Sequence, residues 1–228
     1  MRSVTKKTIL AIIIVNILLI LVGVFGKILT RFDYKDHFDD IVISVDGENI
    51  SLREFGYYIY QVEAFVQNQA LLYDPENPKL WWNTHFSAGL DSQFVCDYAK
   101  KVALNTCICD QIYYDEAIHS GLVIDEACKA KINKEAQEMF ESMTSSQLAA
   151  IGLSQEDVTK MHRKHVIASV YAESLATKLD LGNYDKEPKE LLNWDGEYYE
   201  EEILPMHEIK QNDKILDNIT LGKITVNS

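Results

Sequence analysis

Nine of the chain's 23 aromatic residues fall between Phe55 and Phe86, and they are the densest binding chemistry in the sequence. Tyrosine and tryptophan rings offer large contact area at small entropic cost. A cluster of them can line a groove that accepts apolar side chains of another polypeptide. Tyr57, Tyr60, Tyr73, Trp81, Trp82 and Phe86 are the candidate contacts, while Phe55, Tyr58 and Phe65 fall on a stripe expected to fill the core. Adjacent tryptophans in a helix or strand cannot both face one core. One of Trp81 and Trp82 is therefore expected at the surface.

Other reactive arrangements are sparse. His162 and His165 are three apart and suit one face of a helix, yet no third or fourth metal ligand stands near them, and His165 falls within a packing stripe. Cys96 and Cys107 lie too far apart along one helix to bond, and Cys107 and Cys109 point to opposite sides. Cys107-Ile-Cys109 also lacks the two-residue spacer of a redox or zinc pair. The cysteines are best accounted for as small apolar side chains, with a bridge from Cys128 to the preceding helix as the alternative. No G-x-S-x-G nucleophile motif occurs. The sequence thus assigns no catalytic residue, no metal and no cofactor.

The elements that must position the aromatic cluster are mainly helical. Ile41–Val45 has strand composition and Asp46-Gly47 is a turn signal. Ser51 and Glu54 form a capping box that starts a helix carrying Phe55, Tyr58, Ile59, Val62, Phe65, Val66 and Gln69 on one side. Pro75 and Pro78 break it. A long central helix is predicted from Asp91 to about Ser120, a polar one from Asp125 to Met143, then a short connection over Ser145–Leu153. Ser154 starts a last helix whose stripe runs from Val158 to Leu179 and stops near Gly182. Residues 183–228 suggest an acidic connector followed by a hairpin or single strand over Ile215–Val226, pairing with Ile41–Val45.

Ahead of this domain, Arg2, Lys6 and Lys7 precede an apolar run from Thr8 to Gly26, long enough to span a bilayer as a helix. The basic end should stay in the cytoplasm and the rest lie outside. Residues 1–27 are accordingly expected to be a transmembrane anchor, or a signal segment whose removal would release a secreted protein, and residues 28–40 a spacer. Four of the 22 basic residues and none of the 35 acidic ones fall in residues 1–27, so the remainder carries a formal charge of −17. A surface of that sign repels nucleic acid and anionic lipid.

Three stretches resemble the SurA/PrsA family of extracytoplasmic folding factors. Val45-Asp-Gly-Glu-Asn-Ile-Ser-Leu-Arg-Glu54 is similar to the family's opening V-N-G-x-x-I-T-x-x-E, and Ile112-Tyr-Tyr-Asp-Glu-Ala-Ile-His-Ser-Gly-Leu-Val-Ile-Asp-Glu126 resembles L-x-x-E-A-x-x-x-G-I. Gly152-Leu-Ser-Gln-Glu-Asp-Val158 looks like G-L-T-E-E-D-L. Together they cover roughly residues 41–180. The resemblance implies a SurA/trigger-factor-like helical peptide-binding domain over 41–182, which cradles unfolded or newly exported polypeptides. Family members often carry a parvulin prolyl isomerase domain of on the order of ninety residues. Here residues 183–228 are too few, and Leu204-Pro-Met-His-Glu-Ile209 resembles only its first strand. The implied function is a membrane-tethered holdase without isomerase activity. The alternatives are a non-catalytic adaptor for one envelope or secretion partner, and a divergent isomerase.

Overall fold

Ser51 and Glu54 do close the predicted capping box. The Ser51 hydroxyl accepts the Glu54 N–H at 3.2 Å and the Glu54 carboxylate accepts the Ser51 N–H at 3.0 Å. Helix α1 runs from there over Leu52–Tyr73 and ends before Pro75. The computed structural model describes residues 32–85 and 92–227, with Asn16. It comprises two units, Met1–Asp33 and Tyr34–Ser228, and the second holds the sheet and the helices from α1 onward. The apolar run Thr8–Gly26 lies outside the described residues except for Asn16, and among the described residues no helix is long and apolar enough to cross a membrane.

The fold is mainly helical with one small antiparallel sheet. Strands β1 (Ile41–Val45) and β2 (Glu48–Ser51) are joined across Asp46 and Gly47, whose φ values of 51° and 92° are the positive pair that a tight hairpin requires. A third strand, β3 (Ile209–Gln211), pairs with the other edge of β1, Val45 facing Ile209 and Ile43 facing Gln211. The sheet is therefore closed by residues upstream of the expected Ile215–Val226. Asp46 fixes that choice: its carboxylate accepts His207 Nδ1 at 2.6 Å and the Glu208 N–H at 2.7 Å, aligning the chain just before β3. The His207 hydrogen bond is the main reason the Asp46 carboxyl is held below its ordinary range. The stretch expected to be a strand instead opens with a short helix over Asp213–Leu216 and then turns, burying Ile215, Leu216, Ile219 and Leu221. Ile215 and Leu216 lie four and three residues before Ile219, which suits a helical turn better than alternation.

After a four-residue helix α2 (Pro78–Trp81) come α3 (Val95–His119), α4 (Glu126–Ser142), α5 (Ser145–Ile151) and α6 (Gln155–Ala176). The long α3 is central, packing against both α1 and α6, as its wide apolar arc predicts. Helix α5 replaces the expected connection. Thr144 caps it, with Gln147 reaching back at 2.9 Å, and left-handed Gly152 ends it at φ 69°. A side chain at Gly152 would run into the Phe38 ring and the Arg53 guanidinium. Helix α6 stops at Ala176, short of Gly182, where Thr177 turns its hydroxyl onto the Ser174 carbonyl at 2.8 Å.

Residues 34–40 of the expected spacer and the expected acidic connector after residue 183 belong to the folded unit. Within the spacer 28–40, Tyr34 donates its hydroxyl to the Leu52 carbonyl at 3.0 Å, and the Arg53 guanidinium lies 4.9 Å from the centre of the Phe38 ring. Within 183–228, Leu191, Leu192, Tyr199 and Ile203 are buried while Glu200, Glu201 and Glu202 face solvent. Tyr199–Ile203 forms one π-helical turn, so acidic composition and burial coexist on opposite sides of it.

Candidate functional site: an apolar groove between two helices

The second half of α1 outruns its cover. Phe55, Tyr58 and Ile59 are buried against the rest of the domain, but farther along the same helix Phe65 is 65% and Tyr73 71% exposed. Val62, Phe65, Gln69 and Tyr73 form one wall of an open groove of about 730 Å³, and Val95, Tyr98 and Val102 of α3 form the other. That volume lies within the range typical of ligand sites. Trp81, Thr84 and His85 bound one end, with the Trp81 ring stacked on Tyr73 at a centroid distance of 5.3 Å and an interplanar angle of 5°. Beyond the groove Leu71, Leu72 and Leu80 are also exposed, giving a continuous apolar stretch along the α1–α2 corner.

His165 is one of the polar residues lining the groove and borders also a smaller cavity of about 220 Å³ between α3, α6 and Asn193. Its Nδ1 lies 2.7 Å from Asp110 Oδ2. Burial alone pulls the imidazole down, but the hydrogen bond and charge of Asp110 together outweigh it and raise His165 above its ordinary 6.5. The His165–Asp110 contact thus joins α6 to α3.

The expected contact residues divide. Trp81 and Tyr73 form the end of the groove. Trp82 is buried, donating Nε1 to Gln67 at 3.0 Å, so the two tryptophans do part company. Tyr57 is buried as well, its hydroxyl 3.1 Å from His162 Nδ1, because it faces α6 rather than α3. Tyr60 is half-buried with its hydroxyl 3.3 Å from Ser142 Oγ, on the α4 side. Phe86 lies outside the described residues. Phe65, expected in the core, is instead a wall of the groove, and Val62, Val66 and Tyr98, which are not among the candidate contacts, join it there. The signal for Val62, Phe65 and Val66 in the sequence is the stripe on α1, which continues unchanged from its covered half into its open half.

Catalytic and metal chemistry find few groups here. His162 is taken up by Tyr57 and by Glu135 at 3.3 Å, and among the described residues no group of three or more His, Cys, Asp or Glu is arranged to hold a metal ion. All four cysteines are free thiols, and burial pushes Cys107 and Cys109 well above the ordinary thiol range, leaving them neutral. Fold and site together define a mainly helical domain with a small antiparallel sheet and an open apolar groove. No family model matches the chain, and no curated protein or solved structure matches it.

Proposed function

We propose that this protein is a polypeptide-binding holdase of the SurA/PrsA kind, held outside the cytoplasm by residues 8–26, that takes apolar segments of unfolded or newly exported chains without isomerising prolines. The observation that carries this reading is the open groove with Phe65 and Tyr73 standing exposed on its wall. A segment presenting alternating apolar side chains can bury them between α1 and α3, while Gln61, Gln69 and Thr84 on the lining offer hydrogen-bonding groups to its backbone. The absence of an isomerase step from the proposal rests on residues 183–227, which form short helical turns, strand β3 and the closing loop of this domain, with His207 engaged by Asp46.

The test is binding of a permanently unfolded polypeptide to the full chain in detergent. Replacing Phe65 and Tyr73 together by serine should weaken binding at least tenfold, since buried aromatic anchors each contribute on the order of 1 kcal/mol or more. Unchanged affinity would sink the groove as the site. An adaptor for one partner is favoured by a separate observation, the exposed Leu71, Leu72 and Leu80 outside the groove. Crosslinking that captures one stoichiometric partner and no range of clients would select that reading.

A further inference from the structure

Glu63 sits in the middle of α1, fully buried, and among the described residues no basic side chain pairs with it. A carboxylate so placed needs donors. Among the described residues they come from one distant segment: the N–H groups of Gly222, Ile224 at 3.3 Å and Thr225 at 2.6 Å, and the Thr225 hydroxyl at 2.6 Å. Residues 222–225 thus wrap the carboxylate in a cradle of amides, which Gly222 makes possible through its φ of 90°. Asn227 extends the attachment by donating to the Gln67 side-chain oxygen at 3.4 Å and to the Gly222 carbonyl at 3.2 Å.

The seat of this segment is Trp82. A Cβ added to Gly222 would overlap the Trp82 ring, and the Gln67 oxygen that accepts from Asn227 also accepts from Trp82 Nε1. Trp82 follows directly on α2, which has no buried residue of its own. The end of the groove is therefore positioned from both sides by neighbouring tryptophans. Trp81 stacks on Tyr73 in the groove, and Trp82 is clamped beneath the strap Leu221–Asn227.

We infer that the strap Leu221–Asn227, latched on Glu63, is a releasable element that holds the end wall of the groove in place, so that its docking controls the groove's affinity for apolar segments. With the strap docked, Trp82 is fixed and Trp81 stays on Tyr73. With the strap released, α2 loses the buried anchor that follows it and the groove loses its end. The inference rests on the groove being the binding site, and its test separates the two.

The full chain in detergent carries Trp194→Phe, so that emission comes from Trp81 and Trp82. Strap release is read by tryptic cleavage after Lys223, which is exposed within the strap. Groove affinity is read with a dansyl-labelled heptapeptide rich in leucine and phenylalanine. Glu63→Ala should speed cleavage at Lys223 at least tenfold, red-shift the tryptophan emission and weaken the peptide about tenfold. Faster cleavage with unchanged emission and unchanged peptide affinity would overturn the coupling. Cleavage at the wild-type rate would overturn the latch. If the parent chain binds no heptapeptide, the holdase reading fails by itself, and acrylamide quenching of Trp81 and Trp82 still decides the coupling: quenching must rise with cleavage. Where Glu63→Ala does not fold, Thr225→Val removes one donor from the cradle and should move the same readouts in the same direction by a smaller factor.

Discussion

Helix α1 shows two faces about 100° apart around its axis, and they solve opposite problems. The face of Glu63, Gln67 and Ala70 is closed by the chain itself, with a buried carboxylate that takes four donors from one strap. The face of Val62, Phe65, Gln69 and Tyr73 is left open, and its aromatic side chains stand in solvent. A buried charge cannot be left unmatched without large cost, so the first face specifies one partner and one register. Apolar surface is non-directional in its attraction, so the second face sets no register and suits many apolar segments. The difference shows how one helix can carry both a fixed intramolecular contact and an adaptable intermolecular one.

The largest effect expected is at the covered end of the stripe. Phe55→Ala, at a site with no exposed surface, should destabilise the fold by about 4 kcal/mol, measured by denaturant unfolding, because it removes a large buried ring and leaves a cavity. Next comes the closed face. Glu63→Ala should lower stability by about 3 kcal/mol, the scale expected when the acceptor of several buried donors is lost. A change under about 1 kcal/mol in either variant would mean that the two faces differ less than their burial implies.

A smaller, pH-dependent effect should come from the pair that joins α3 to α6 beside the groove. His165 is raised in the folded state by Asp110, so its protonated form stabilises the fold. That contribution is fully present below the unfolded value near 6.5 and disappears as pH rises through the higher folded value. The stability gap between the parent chain and His165→Gln should therefore shrink as pH rises from about 6.5 through the higher folded value. A gap that stays constant over that window would show that the imidazole's charge is not part of the junction.

The sequence displays these features unevenly, for physical reasons. Caps and turns are local chemistry, and Ser51 with Glu54, Asp46-Gly47 and Ser154 with Asp157 all appear in the structure where the residues put them. Thr144 with Gln147 is the same device, set in a stretch whose shortness reads as a mere connection. Burial is not local. Phe55 and Phe65 occupy one continuous stripe and differ only in whether another element lies above them. Trp82 and Tyr57, set among the candidate contacts by composition, are interior because of a glycine far along the chain and of a histidine on α6. Glu63 gives no signal at all, since a lone glutamate between apolar residues resembles any solvated helix position until its donors are known. The strap reads as a strand because its β-branched residues suit both, and only the carboxylate it encloses distinguishes a cradle from a ladder.

The smallest effect on stability is expected at Phe65, and it is the sharpest test of the contrast between the faces. Its ring is 65% exposed, so little apolar area is removed from water on folding and little is lost on truncation. Phe65→Ser should leave the unfolding free energy within about 0.5 kcal/mol of the parent, measured alongside Phe55→Ala under the same conditions. Serine and phenylalanine have similar intrinsic helix propensities, so the backbone contributes little to the change. A loss of several kcal/mol would mean that Phe65 is covered in solution by part of this chain, leaving the wall of the groove closed. A neutral result together with weakened binding of an unfolded polypeptide would assign the ring to a contact made only with a partner, because a side chain that stabilises nothing in its own fold has its energetic role elsewhere.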